Sequence, residues 1–233
     1  MGGGDLGVSE SGGGADEPLQ VDDMRHETSL TLFRYWNGLR GTRMAPCRFE
    51  IEPARIARIL PEAFVLEQVD HGTYRFRIAG TRLCEQFGLE LRGRNLLDYW
   101  DQEDRSILKQ QLATVAEQGA AALFEFEAFG SRREPVLFEA LVLPLVHANA
   151  SIDRFLGTIS AREEPVWPGM EHLERRHLLR HELIWPTGQP AEPQVPEPRP
   201  LPTIRGARLV RINHRSFRVY EGGLSRQAGP NKG

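Results

Sequence analysis

Three histidines stand close together late in the chain, at His172, His177 and His181. Residues four apart share a helix face, so His177 and His181 are the nearest thing here to a metal-ligand pair. No cysteine accompanies them, and the spacing fits no structural zinc pattern. Leu173, Leu178 and Leu179 make residues 171–183 read instead as an amphipathic surface helix with a basic face. Of the two cysteines, Cys47 has Arg43 and Arg48 nearby, the setting a reactive thiolate needs, whereas Cys84 reads as a small buried hydrophobe. Arg211 and Arg215, four apart, could grip an anion such as a cyclic dinucleotide. The Asp/Asn-x-Ser-x-x-Gly companion of such a site is missing downstream, which leaves an exposed basic strand. Glu125, Glu127 and Glu139 fall on strands and read as the outer face of a sheet. There is no Gly-x-Ser-x-Gly, P-loop or His-Glu-x-x-His, so the chain reads as non-enzymatic.

The elements that must hold these residues follow from periodicity. Leu32, Trp36 and Leu39 fall at i, i+4 and i+7, predicting a helix over 25–40 whose apolar face packs on a sheet or on a second copy. Residues 45–53 are extended because a residue before proline avoids the helical region, and Pro53 opens a short helix reaching Leu60. Residues 63–69 and 73–79 form a hairpin, with Tyr74, Phe76 and Ile78 alternating against Arg75 and Arg77. Short helices are expected at 81–87 and 95–99. A longer one, capped by Asp101, runs to about Gln118 with Ile107, Leu108, Leu112 and Val115 on its apolar face. Three strands follow, at 121–129, 135–146 and 155–162. Strands in hairpins with helices grouped between them imply an antiparallel α+β domain.

The totals are consistent with this. A hydrophobic share of 40% in 233 residues supports one medium domain with extra segments. Residues 1–22 are Gly-rich and acidic and are expected to be disordered; they resemble neither a signal peptide nor a lipid anchor. Residues 164–202 read as the His/Arg-rich helix followed by a Pro-rich linker, and 203–233 as a basic segment. Residues 165–233 hold eleven Lys and Arg against six Asp and Glu, so the net charge of -3 hides an acidic body of about -8. An acidic body disfavours nucleic acid, leaving only the basic tail for it. With no long apolar run and only two cysteines, a cytoplasmic protein without membrane contact is expected.

An ordered set of short motifs adds to the pattern. Trp36, Leu39-Arg40-Gly41, Pro46, Ile51-Glu52-Pro53, Ile59-Leu60-Pro61, Tyr74 to Thr81, Phe87-Gly88, Leu91 to Arg94 and Asp98-Tyr99-Trp100 stand in sequence, and Arg218 to Gly223 closes the chain's end. Together they resemble the stand-alone PAS-like domain family of alphaproteobacteria, over roughly 25–163. The resemblance implies a five-stranded antiparallel PAS sheet with central helices and an N-terminal helix. It also implies a bacterial sensory or adaptor role, with motility and cell-cycle control among its members' functions. It supplies no cofactor. Haem would need an axial His on the long helix, which has none, and the photoactive flavin type needs an Asn-Cys-Arg-Phe-Leu-Gln-like stretch that the surroundings of Cys84 lack. By this resemblance Leu83, Phe87, Trp100, Leu108, Phe124, Phe126, Leu141 and Ile159 are expected to line the interior, either packed as a core or loose around a small apolar or aromatic ligand. Leu32, Trp36 and Leu39 are the expected dimer or partner contact. A scaffold docking through its tail with an empty core, or a nucleic-acid regulator using that tail, are the alternatives.

Overall fold

Period-two alternation builds the sheet that positions everything else. The computed structural model describes residues 24–130, 135–147, 151–163, 173, 175–186, 208–212 and 215–219. The chain divides into two units, 1–193 and 194–233. In the first, β1 (Ala63–Asp70), β2 (Thr73–Ala79), β3 (Ala121–Phe129), β4 (Val136–Val146), β5 (Ile152–Ala161) and β6 (Arg175–Ile184) form one sheet in the order β2-β1-β5-β4-β3-β6. Every neighbouring pair is antiparallel. α2 (Thr81–Phe87), a 3₁₀ turn at Leu96–Tyr99 and α3 (Gln102–Gln118) come between the second and third strands. The α+β sheet expected from the sequence is therefore present, with a sixth strand added at its edge.

That sixth strand corrects one expectation. The segment read as a helix over 171–183 is β6 from Arg175 onward, paired along β3 from Phe129↔Arg175 to Ala121↔Ile184. Exposed and buried positions alternate at Arg175, Arg176, His177, Leu178 and Leu179, which is strand parity. His172 lies outside the described residues. A strand rise of ~3.3 Å per residue separates His177 from His181 by roughly 13 Å, so they are not a ligand pair.

α1 (Glu27–Arg40) crosses the outer face. His26 caps it, with Nδ1 accepting from the Thr28 amide at 3.2 Å. Leu32 and Trp36 are fully buried within the chain, and Leu39 packs partly buried on the same cluster of Leu123, Leu141, Leu143, Leu145 and Leu156. The Trp36 indole donates to the Pro144 carbonyl at 2.8 Å. The face expected to meet a partner is thus taken by the chain's own sheet, at about 1.5–3 kcal/mol per large side chain buried. Between α1 and β1, the stretch expected to be extended over 45–53 contains a 3₁₀ turn at Arg48–Glu50, and a 3₁₀ segment follows at Pro53–Glu62. α3 ends at Gly119, whose φ of 67° is left-handed and whose missing side chain makes room for Met44.

In the second unit β7 (Arg208–Ile212) pairs antiparallel with β8 (Arg215–Val219). The single basic strand expected over 207–220 is a hairpin, and Arg215 pairs with Ile212 while Arg211 pairs with Ser216. The expected disordered N-terminus and Pro-rich linker lie outside the described residues, apart from Pro186. Among the described residues no helix is long and apolar enough to cross a membrane.

Gly157 sits mid-sheet, where an added Cβ would meet the Phe64 ring and the Leu141 carbonyl. Gly157→Ala should lower stability by about 1–3 kcal/mol. Thermal unfolding checks this, and a Tm equal to that of the unmodified chain would contradict the packing.

Candidate functional site

Alternation sorts the strand residues into two cores. Inward, β3 sends Ala122, Phe124 and Phe126, β4 sends Phe138, Ala140 and Val142, and β5 sends Phe155 and Ile159. Leu83 and Phe87 of α2, Trp100, and Leu108, Leu112 and Val115 of α3 close over them. Seven of the eight residues expected to line the interior (Leu83, Phe87, Trp100, Leu108, Phe124, Phe126 and Ile159) share this cluster. Leu141 does not. It lies one residue out of phase with Ala140 and Val142 and so faces α1 on the other side of the sheet.

Aromatic pairs bridge the interior. Trp100 meets Phe126 edge-on at 5.0 Å, Phe126 stacks on Phe138 at 5.2 Å, and Phe64 meets Phe76 at 5.8 Å. Such pairs each add about 0.5–1.5 kcal/mol beyond burial. These contacts join residues expected to line the interior into one cluster.

One side chain in this core was not anticipated. Arg176 of β6 is 7% exposed, its guanidinium 4.1 Å above the Phe87 ring and 5.1 Å from that of Tyr99. It donates to the Leu173 carbonyl at 3.0 Å and the Tyr99 carbonyl at 3.4 Å, while its Nε has no partner. No carboxylate among the described residues pairs with it, and burial pushes its pKa down to about 10. Cation–π contact, about 2 kcal/mol when desolvated, offsets part of that cost. The signal in the sequence was the strand parity of Arg176 and Leu178, masked by the helical spacing of the neighbouring histidines. β6 has a second anchor in buried Asp104, whose Oδ2 accepts from the Leu178 amide at 2.9 Å and lies 3.5 Å from His177 Nδ1. Asp101, Asp104 and His177 could together offer three ligands to a cation, but Asp101 already caps the backbone of Asp104 at 2.9 Å. Both cysteines are half-buried; the Cys84 thiol lies 3.9 Å from Glu90, and Arg43 pairs with Glu50 beside Cys47.

The outer face carries the polar chemistry. Glu139, read from sequence as lying on an outer face, is fully buried beneath α1 and accepts from the amides of Arg25 and His26 at 2.9 and 3.1 Å. Glu125 lies 3.7–3.9 Å from Arg25, Arg162 and Arg180. Glu62 accepts from Ser160 at 2.6 Å, Thr28 at 2.9 Å and Arg82 at 2.8 Å. Burial pushes the Glu62 pKa up, but these three hydrogen bonds outweigh it and hold the carboxyl below its usual value. Around Glu62 opens a cleft of about 570 Å³ between the start of α1, the 53–62 segment and α2.

A family model described as PAS domain matches residues 24–160. No curated protein matches the chain. Among solved structures, the LOV protein of Rhodobacter sphaeroides is 10% identical, with 50% of this chain and 71% of that chain covered and a TM-score of 0.37. A point variant of the same protein, RsLOV, is 11% identical over 48% of this chain and 65% of that one, also at 0.37.

Two outcomes follow from this geometry. Arg176→Ala, which removes stem and charge together, should cost about 2–4 kcal/mol in urea unfolding, whereas Arg176→Met should cost less than about 1.5 because the apolar stem remains. Equal losses would mean that the charge itself holds β6. A carboxyl with a lowered folded pKa stabilises above its unfolded value and ceases to as pH falls. The urea midpoint should therefore drop below about pH 4.5, and Glu62→Gln should make that drop shallower.

Proposed function

The chain belongs to the PAS domain family, and from that premise we propose that it is a non-enzymatic cytoplasmic signalling module acting through contact with a protein partner. The family supports a sensory or signalling role. The observation that supports the finer reading is the aromatic packing between sheet and helices, where Trp100 meets Phe126 edge-on, Phe126 stacks on Phe138 and the Arg176 guanidinium lies over Phe87. A signal that does not enter as an interior cofactor must be received and passed on at the surface.

The sheet offers such a surface at one edge. β2, at one end, is bonded along part of its length by the 93–95 loop, with the Phe76 amide donating to Arg94 at 2.9 Å and the Gly93 amide to Phe76 at 2.8 Å. β6 ends the other side, with Leu179 51% exposed. An extended partner segment, or β6 of a second copy, could add to that edge by backbone pairing. The resemblance to alphaproteobacterial stand-alone domains extends the reading to bacterial motility or cell-cycle control.

Protein purified from cells supplied with haem and flavin precursors should show no visible chromophore, and its amides at β6 should gain hydrogen-exchange protection in extract of its own host. Stoichiometric flavin or haem would overturn this reading. Unchanged exchange at β6 would overturn the contact role of that edge.

A further inference from the structure

The cleft on the outer face stands apart from the aromatic interior, and its size suits a small metabolite. Its walls include His26, Thr31, Arg58, Glu62 and Gln86. Glu62 already accepts from Thr28, Ser160 and Arg82, on both of its oxygens. Gln86 is different. It is 8% exposed and lines the cleft, yet its carboxamide oxygen has no hydrogen-bond partner among the described residues. A buried amide oxygen left in that state is destabilising, and a donor on a bound molecule would satisfy it. Arg58 is exposed on the cleft wall and makes no ion pair among the described residues. The His26 Nδ1 is occupied as an acceptor, so the proton of the neutral ring sits on Nε2, a donor.

Charge narrows the ligand further. Arg82 is paired with Glu62 and Glu27 adds negative charge to the same lining, so Arg58 suits a single carboxylate better than a multiply charged phosphate ester. Ile59, Pro61 and Ala161 supply an apolar wall. We propose that this cleft binds a small hydroxy or amino acid. Its carboxylate pairs with Arg58, assisted by His26, and its hydroxyl or amino group donates to the Gln86 carbonyl oxygen. His26 caps α1 and Thr28 lies in its first turn, so an occupant would tighten the start of that helix. The site is separate from the β6 edge and stands whether or not that edge meets a partner.

Titration calorimetry on the full chain tests this, using glycolate, L-lactate, L-serine, L-leucine and L-glutamate, with acetate and inorganic phosphate for comparison. At least one hydroxy or amino acid should bind saturably and more tightly than acetate or phosphate. Arg58→Ala should weaken that binding at least about tenfold, as loss of a charge-assisted hydrogen bond does, without changing Tm. Gln86→Met should weaken the same acid while leaving acetate unaffected. Absence of saturable binding by all five acids, phosphate binding as tightly as the best acid, or undiminished binding by Arg58→Ala would each overturn the proposal. Arg58 is exposed, so its variant reports even if Gln86→Met does not fold.

Discussion

Where helices cover a sheet its polar side chains lose water, and most of those on the covered strands here are answered from within the chain. This constraint organises the first unit. Glu139 projects from the middle of β4 into the space below α1, and the amides at the start of that helix are what it finds. Glu62 meets Ser160 and Thr28 in the same way. The N-terminal helix is thus seated by charge at its first turn and by Leu32 and Trp36 along its length. Apolar burial supplies most of the attraction, and the carboxylates fix where the helix begins.

Much of this was legible because each strand obeys a period of two and each helix a period near 3.6. Tyr74 and Phe76, or Phe124 and Phe126, could be assigned to one face by counting. Leu141 shows where counting needs a phase: with both neighbours apolar, residues 140–143 give no sign of which face each one takes, since a strand buried on both sides reads as a continuous hydrophobic run. The register with β3 and β5 decides it. Glu139 takes the outer face expected of it, but its burial is hidden for a related reason. A carboxylate on a strand normally means water, and only the cover of α1 turns that face into an interior.

β6 failed differently. His177 and His181 at helical spacing, with leucines between them, satisfy an amphipathic helix as well as a strand does. Pairing with β3, a contact across about fifty residues of sequence, overrides that local preference. Arg176 then enters the core because its position on the strand demands an inward side chain. Stacking on Phe87 and Tyr99 is how a cation is tolerated there. A buried arginine without a carboxylate cannot be inferred from neighbouring residue types, because its partners are ring faces and carbonyl groups brought from α2 and the turn after it.

Pro144 has a consequence beyond its bond to Trp36. β3 stops pairing with β4 at Ala122↔Val142, so the last residues of β4 extend past their neighbour. There, Pro144 has no amide hydrogen to give, its carbonyl is taken by the indole, and the Val146 amide donates to the Pro46 carbonyl at 3.0 Å. A stray extended chain arriving at this overhang finds the ladder already blocked. The same tryptophan that seats the helix thus guards the sheet against runaway strand-to-strand aggregation.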